Sequence, residues 1–531
     1  MLRSPLITLF RSVLLIALTA VVHAESPSEG THRQAAILKP DPQRELVTFV
    51  VAPDGVLTAA LGAERRGQMG AGLLRVYSPE RALIREIPLP IMPTALSLVG
   101  KSGYLVAGNG KLLQVSPEGR VTRQATILEL LGVTEEQVRS EARRAAEESV
   151  KAQRERSARE IADLERAIQT MESAPAQTDR QKARIVSSKK MLEERRAELK
   201  REPSLDSMMD YFVSSRTKST ALSSDGNSIL MTLMNLRQYE VLKLDQDFRN
   251  PRRILGDLKG CCGQMDLNLS GGRFFTAENT RFKVGIYDLE GKKQGEFGER
   301  FEKNNQGFGS CCNPMNVWVY GNGDVLTAES SIGTLKRFSP EGKLLGVIGR
   351  ARIGGGCKHV AIGFDPVRDR YYVQYQDRNH ICVLMPEAEA APLVAEQDRQ
   401  IAKGEALLQA LAGSWVVEPR KGAKSAEELD ALFQSPRGMT SEDRIAGPID
   451  RLQAFIFQPN HSVKLERKPQ RQSTRPESPL RWVVTGTEGD SVQIELEEAD
   501  GIVRYTLKLR KLSETNVQIQ IHEYLWTLTK S

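Results

Sequence analysis

Four variants of one tight turn, SPE (78–80), SPEG (116–119), DLEG (288–291) and SPEG (339–342), recur along 531 residues. Each separates two short segments that alternate apolar and polar residues, such as LLRVY before LIREI and TLKRF before KLLGVI. A period of two is the pattern of a strand, and Pro or Leu at the second turn position with Gly at the end suits a hairpin. A second repeat is longer: CCGQMDLNL (261–269) aligns without a gap on CCNPMNVWV (311–319). Their continuations, RFFTAEN and DVLTAES, align after one inserted residue, which equates Thr276-Ala277-Glu278 with Thr327-Ala328-Glu329. A unit of this length with four short antiparallel strands is a propeller blade. Six fit the chain, at about 46–90, 92–125, 216–258, 260–300, 310–350 and 356–386. The last holds three strands only, and QAAILKP (34–40) is expected to supply its fourth, hiding both edges of the ring.

The expected fold is therefore mainly β: a six-bladed propeller (33–126 and 206–386) with a helical insertion (127–205), a linker helix (387–407) and a small antiparallel barrel or meander (408–531). In the insertion, Thr134 with Gln137 and Thr178 with Gln181 are capping boxes, and the charges fall at helical i, i+4 spacing. Ile161, Leu164, Ile168 and Met171 form one narrow seam, and Ile185, Leu192 and Leu199 another, so an antiparallel coiled-coil hairpin is predicted. Val138 to Ala158 has few large apolar residues and is expected to be solvated, as a spacer or as an arm for a protein partner.

The unit length and the SPEG/DLEG turns resemble NHL-type six-bladed propellers, and the Cys-Cys-Asn-Pro fragment is similar to fragments of bacterial propellers of that type. Gly413-Ser414-Trp415 ahead of a run of period-two strands looks like the opening of a lipocalin-like domain. That resemblance implies that Trp415 plugs the base of a barrel. Seven strands follow it, one fewer than the usual eight.

At the start, Arg3 and Arg11 precede an apolar run too short to span a bilayer, and Val22-His23-Ala24 resembles a cleavage site. A secretory signal over 1–24 is expected, and with it a periplasmic or extracellular address and no membrane span after cleavage. The formal charge of +7 falls to +5 when Arg3 and Arg11 leave, and with no basic run the chain is not expected to bind nucleic acid.

Such an address gives the cysteines meaning. Cys261, Cys262, Cys311, Cys312 and Cys357 stand where innermost strands begin, with Met265, Met315 and His359 close in sequence, and Glu278 and Glu329 where second strands end. All ten are expected on one sector of one face, whereas Cys382 is expected to be core. Three readings follow: disulfides between blades, for example Cys262 with Cys312; a soft-metal site for copper, zinc or an iron–sulfur cluster; or a reactive thiol. Alternation along a strand would set Cys261 with Met265 and Cys311 with Met315, leaving Cys262 and Cys312 on the other side. Only His359 and His380 fall within the blades, which excludes a ring of histidine-ligated zinc. No GxSxG, HExxH, P-loop, GxGxxG after a strand or CxxCH is present. The leading expectation is a secreted, non-enzymatic binding or scaffold protein with a protein or small-molecule ligand at the propeller face. The alternative is a metal- or thiol-dependent oxidoreductase.

Overall fold

The computed structural model describes residues 30–531 apart from 42–43, 65–70, 101–102, 174–177, 200–203, 237, 262–263, 301–306, 310–311, 331–332, 354–357, 377, 419, 421–427, 429–446, 451, 459–460, 468–479, 489, 498–502 and 522–523. The expected signal segment 1–24 and three of the cysteines, Cys262, Cys311 and Cys357, lie outside the described residues. Among the described residues no helix is long and apolar enough to cross a membrane.

Strand β1 (His32–Leu38) pairs antiparallel with the last strand of a sheet more than three hundred residues away, His32 opposite Pro386 and Leu38 opposite Ile381. That sheet (β22–β24, within 362–386) and five others are each four-stranded: β2–β5 within 44–88, β6–β9 within 95–126, β10–β13 within 219–258, β14–β17 within 266–297 and β18–β21 within 316–350. The first strands of the six sheets are β2 (Arg44–Val51), β6 (Ala95–Val99), β10 (Ser219–Ser224), β14 (Asp266–Ser270), β18 (Asn316–Val319) and β22 (Ile362–Asp365). They touch one another in cyclic order, β22 returning to β2. This is β-propeller architecture.

The turns form for local reasons. Ser78, Ser116 and Ser339 each accept backbone N–H bonds through Oγ, and the Asp288 carboxylate accepts from Glu290 and Lys292. The turn then closes through a residue at positive φ: Gly119 at 91°, Gly291 at 81° and Gly342 at 89°, with Arg81 at 71° in the variant that lacks glycine.

Packing explains why strands such as SILMTLM are apolar throughout. Successive side chains of β11 (Ser228–Asn235) serve opposite faces: Ile229, Met231 and Leu233 pack towards the second sheet, Leu230 and Met234 towards the fourth. The same division runs round the ring, and six separate apolar clusters fill the spaces between neighbouring sheets. The cluster between the sixth sheet and the first contains Ala35 and Leu38 of β1 beside Leu46, Phe49 and Leu61.

Between the second and third sheets lie α1 (Ile127–Leu131), α2 (Glu135–Glu172), α3 (Asp179–Leu199) and α4 (Leu205–Arg216). Thr134 and Gln137 make the reciprocal capping bonds, as do Thr178 and Gln181. Helices α2 and α3 lie together, with Ile168, Ile185 and Leu192 buried and Arg196 bonded to Glu165. The lower part of α2 departs from the expectation of a solvated arm. Val138, Ala142, Ala146 and Ser149 are buried, because small residues at four-residue steps let α4 approach closely and seat Phe212 between them. Helix α4 falls within the range from 206 onward expected for the propeller; its own apolar stripe makes it helical instead.

The tail is a closed antiparallel barrel of eight strands, β25 (Gly413–Val417) through β32 (Tyr524–Lys530), with β25 paired to both β26 (Leu452–Phe457) and β32. The expected shortfall of one strand is corrected because the Gly-x-Trp segment is itself the eighth. Trp415, Trp482 and Trp526 fill its interior with Phe455, Phe457 and aliphatic residues. Helix α5 (Glu387–Ala410) is no mere linker, for Ala390 and Val394 belong to the core shared by the sixth and first sheets and Leu408 to the barrel core. A Cβ at Gly404 would come 2.7 Å from Val484, so the helix lies directly on the barrel. Beside it, buried Glu495 pairs with Arg378 at 2.7 Å and Lys39 at 3.4 Å. Removing one partner strands the others with unmatched charge. Glu495→Ala is expected to lower stability by about 2 kcal/mol in urea denaturation, a partly exposed case of a loss that reaches 3–5 kcal/mol when fully buried. An unchanged midpoint would mean that α5 alone joins barrel to propeller.

Candidate functional site

Because each first strand is short and begins at the same end of its sheet, the ring encloses a channel lined by residues of all six. Its volume is about 370 Å³. Most lining groups are small, apolar or hydroxylic, among them Thr48, Ser97, Thr220 and Ser223. Among the described residues two titratable side chains line it as well, Asp266 and His359.

Asp266 opens β14. Its Oδ2 accepts the Val317 N–H at 2.9 Å, which ties the fourth sheet to the fifth. The preceding carbonyl, of Met265, accepts from Thr220 Oγ1 at 2.8 Å, and Thr220 and Thr232 hydroxyls are 2.8 Å apart. A line of hydrogen bonds thus crosses three sheets along one mouth of the channel. Burial pushes the Asp266 carboxyl up to about 7, against the pull of the Val317 and Leu267 N–H groups. His359 precedes β22. Burial, then the positive charge of exposed Lys218, pushes its imidazole down to about 4, so it is neutral at neutral pH. Both side chains are only half-buried by exposure to the channel, yet protein surrounds them and the solvent they meet is confined. Perturbed groups facing a cavity are the physical mark of a functional site.

Cys261 and Cys312 do come together, the Cys312 thiol donating to Cys261 Sγ at 2.9 Å. Asn279, fully buried, organises them: its Oδ1 accepts the Cys261 N–H at 2.7 Å and its Nδ2 donates to Met315 Sδ at 3.3 Å. The predicted alternation fails, because both CCxxM segments precede their strands. Gln264 N–H donates to Cys261 C=O, so the period of two of a strand does not run through Cys261. Cys312 accordingly packs with Met315, while Met265 lies in the core between the third and fourth sheets. Cys312 has φ of 143°, a conformation that costs an L residue on the order of 1–3 kcal/mol. Cys382 is wholly buried, and burial pushes its thiol up to about 12, consistent with core.

Glu278 and Glu329 are buried away from the channel lining, each with its own cation. Glu278 accepts from Arg281 at 2.7 Å and from the Tyr287 hydroxyl at 2.9 Å. Glu329 pairs with buried Lys336, which occupies the position facing Thr327 that Gly285 holds facing Thr276. A Cβ at Gly285 would stand 2.6 Å from Glu278 Oε1, so the two repeats neutralise equivalent carboxylates by exclusive means. Both glutamates hold loops in place. Among the described residues no three His, Cys, Asp or Glu side chains cluster as a metal site would require. Asp266 was missed by the sequence reading, although the signal was there: a polar residue follows the methionine in both repeats, Asp266 in one and Asn316 in the other.

No protein-family model matches the chain, and no curated protein does either. Among solved structures it is similar to a luciferin-regenerating enzyme, at 8% identity and a TM-score of 0.37 over 66% of this chain and 95% of that one. A gluconolactonase from Xanthomonas campestris overlaps 68% of this chain and 94% of its own, at 10% identity and a TM-score of 0.36. A streptogramin B lyase gives 8%, 0.35, 66% and 96%. Overlaps this slight transfer no activity.

The Asp266 shift has a measurable sign. An unfolded Asp titrates near 3.9, whereas the folded one titrates near 7. Folding therefore favours its protonated form, and that stabilisation is whole below about pH 4 and lost as pH rises through 7. Asp266→Asn, which keeps an acceptor for Val317, is expected to melt several degrees above the parent at pH 8, the gap closing by pH 4. Parallel melting curves across this range would show that the carboxyl is not held in this way.

Proposed function

We propose that the protein is a secreted, six-bladed propeller of NHL type that binds a small polar molecule in its central channel, with a lipocalin-like tail docked through α5. The reading rests on the pair Asp266 and His359, which line an open channel with no ion pair between them and present a carboxyl poised near neutrality and an uncharged imidazole. A purely structural interior would hold neither there, since both cost stability that an apolar residue would restore. Gly413-Ser414-Trp415 and the filled barrel support the lipocalin-like reading of the tail, in which Trp415 is a plug: its indole N–H is bonded to Leu411 C=O at 2.7 Å and Lys530 lies over its ring. The basic start and short apolar run of 1–24 support export.

A second reading, an acid–base enzyme, is favoured by the same carboxyl, because a group titrating near 7 can both give and take a proton at neutral pH. A thermal-shift screen of polyols, hydroxy acids and short peptides against the full chain separates the readings. Ligands of the channel are expected to bind at least 10-fold more weakly to Asp266→Asn and His359→Ala, with affinity in the parent changing around pH 7. Ligands that bind parent and both variants alike would remove the channel from consideration. Conversion of a bound compound, followed by mass spectrometry, would establish the enzyme in place of the binding protein.

A further inference from the structure

The sulfurs of Cys261 and Cys312 belong to different sheets, one just ahead of β14 and the other just ahead of β18, and are 2.9 Å apart. A disulfide bond is about 2.05 Å long, so closing it needs a movement of about 0.9 Å. Little freedom remains around them. Asn279 holds the Cys261 backbone and the Met315 sulfur at once, and Asn313 is bonded to Gly309 C=O at 2.6 Å and to Ser330 N–H at 2.9 Å. The backbone of Cys312 is kept at a φ that side chains rarely adopt, which aims its sulfur across the gap between sheets.

We propose that Cys261 and Cys312 are a thiol–disulfide exchange site, whose oxidation locks the fourth sheet to the fifth at the channel mouth. Cys261 is half-buried and Cys312 buried, so Cys261 is the sulfur that an incoming disulfide reaches. Its thiolate attacks one sulfur of a small-molecule or enzyme-held disulfide, releases one thiol and retains the other half as a mixed disulfide. The Cys312 thiolate then attacks Cys261 Sγ and expels the second thiol. Two protons and two electrons leave the pair, and the oxidant is reduced to two thiols. The lock matters to the channel because Asp266 and Val317, five residues beyond each cysteine, are the hydrogen-bonded pair that joins the same two sheets. Closure of a loop of about fifty residues restricts the unfolded chain as well.

The full-length protein treated with oxidised glutathione, alkylated and digested by trypsin without reduction tests this. Peptide 260–273 is expected linked to peptide 304–336. The link is expected to vanish in Cys261→Ser and Cys312→Ser and to persist in Cys262→Ser and Cys311→Ser, and Cys312→Ala replaces a serine variant that does not fold. Reduction is expected to lower the Tm of the parent by roughly 5 °C. A link that survives in Cys261→Ser, no link after oxidation, or a Tm indifferent to reduction overturns the proposal. None of these outcomes depends on a channel ligand.

Discussion

Every sheet of the propeller buries both faces of its inner strands. A sheet of four short strands that did so alone would leave two apolar surfaces in water, so each depends on a neighbour at either side and the series has to return to its start. The return is made by β1, which completes the sixth sheet against β24 and contributes Ala35 and Leu38 to the core shared with the first. Ring closure is thus hydrogen bonding and apolar burial in one strand. Helix α5 leaves from the same place, and the barrel is attached through the part of the ring that closes it.

Closure also creates the channel. First strands brought together around an axis leave a space lined mostly by apolar and hydroxylic residues. Within that frame a carboxyl and an imidazole are conspicuous. They are pushed in opposite directions on the titration scale by the same cause, loss of bulk water, because the carboxyl is charged when deprotonated and the imidazole when protonated. At the same mouth Asn279 bonds to Cys261 N–H and to Met315 Sδ and so links the two CCxxM loops, whereas Ser330, its counterpart in the second repeat, bonds to Asn313 instead.

Much of the fold could be read from spacing. Turn chemistry acts within five residues, and Ser or Asp at the head of a turn captures the same N–H groups wherever the turn falls. Strand alternation, capping boxes and the outer strand before the first sheet are local or periodic signals of this kind, although β1 begins at His32 and not Gln34. The readings that failed needed distant partners. Val138 to Ala146 is small-sided and charged, and only the arrival of Phe212 from α4 makes it an interface. The first CCxxM segment has strand-like neighbours, yet Cys261 is held through its N–H by the far side chain of Asn279 and through its C=O by Gln264, outside any pleat.

By itself the sequence determined the repeating four-stranded unit, the helical interruption and the β character of the tail, since all of these follow from periodicities of two and 3.6 and from residues that favour particular turns. It also put Cys261 and Cys312 at equivalent places in successive repeats. Which sulfur meets which, and which acid faces the channel, were decided only in three dimensions. Glu278 and Glu329 look like site residues in a linear alignment, but Arg281, Tyr287 and Lys336 neutralise them in the interior. Asp266 looks like one polar residue among many, and becomes distinctive because six strand ends converge around it and withdraw the water that would keep it ionised.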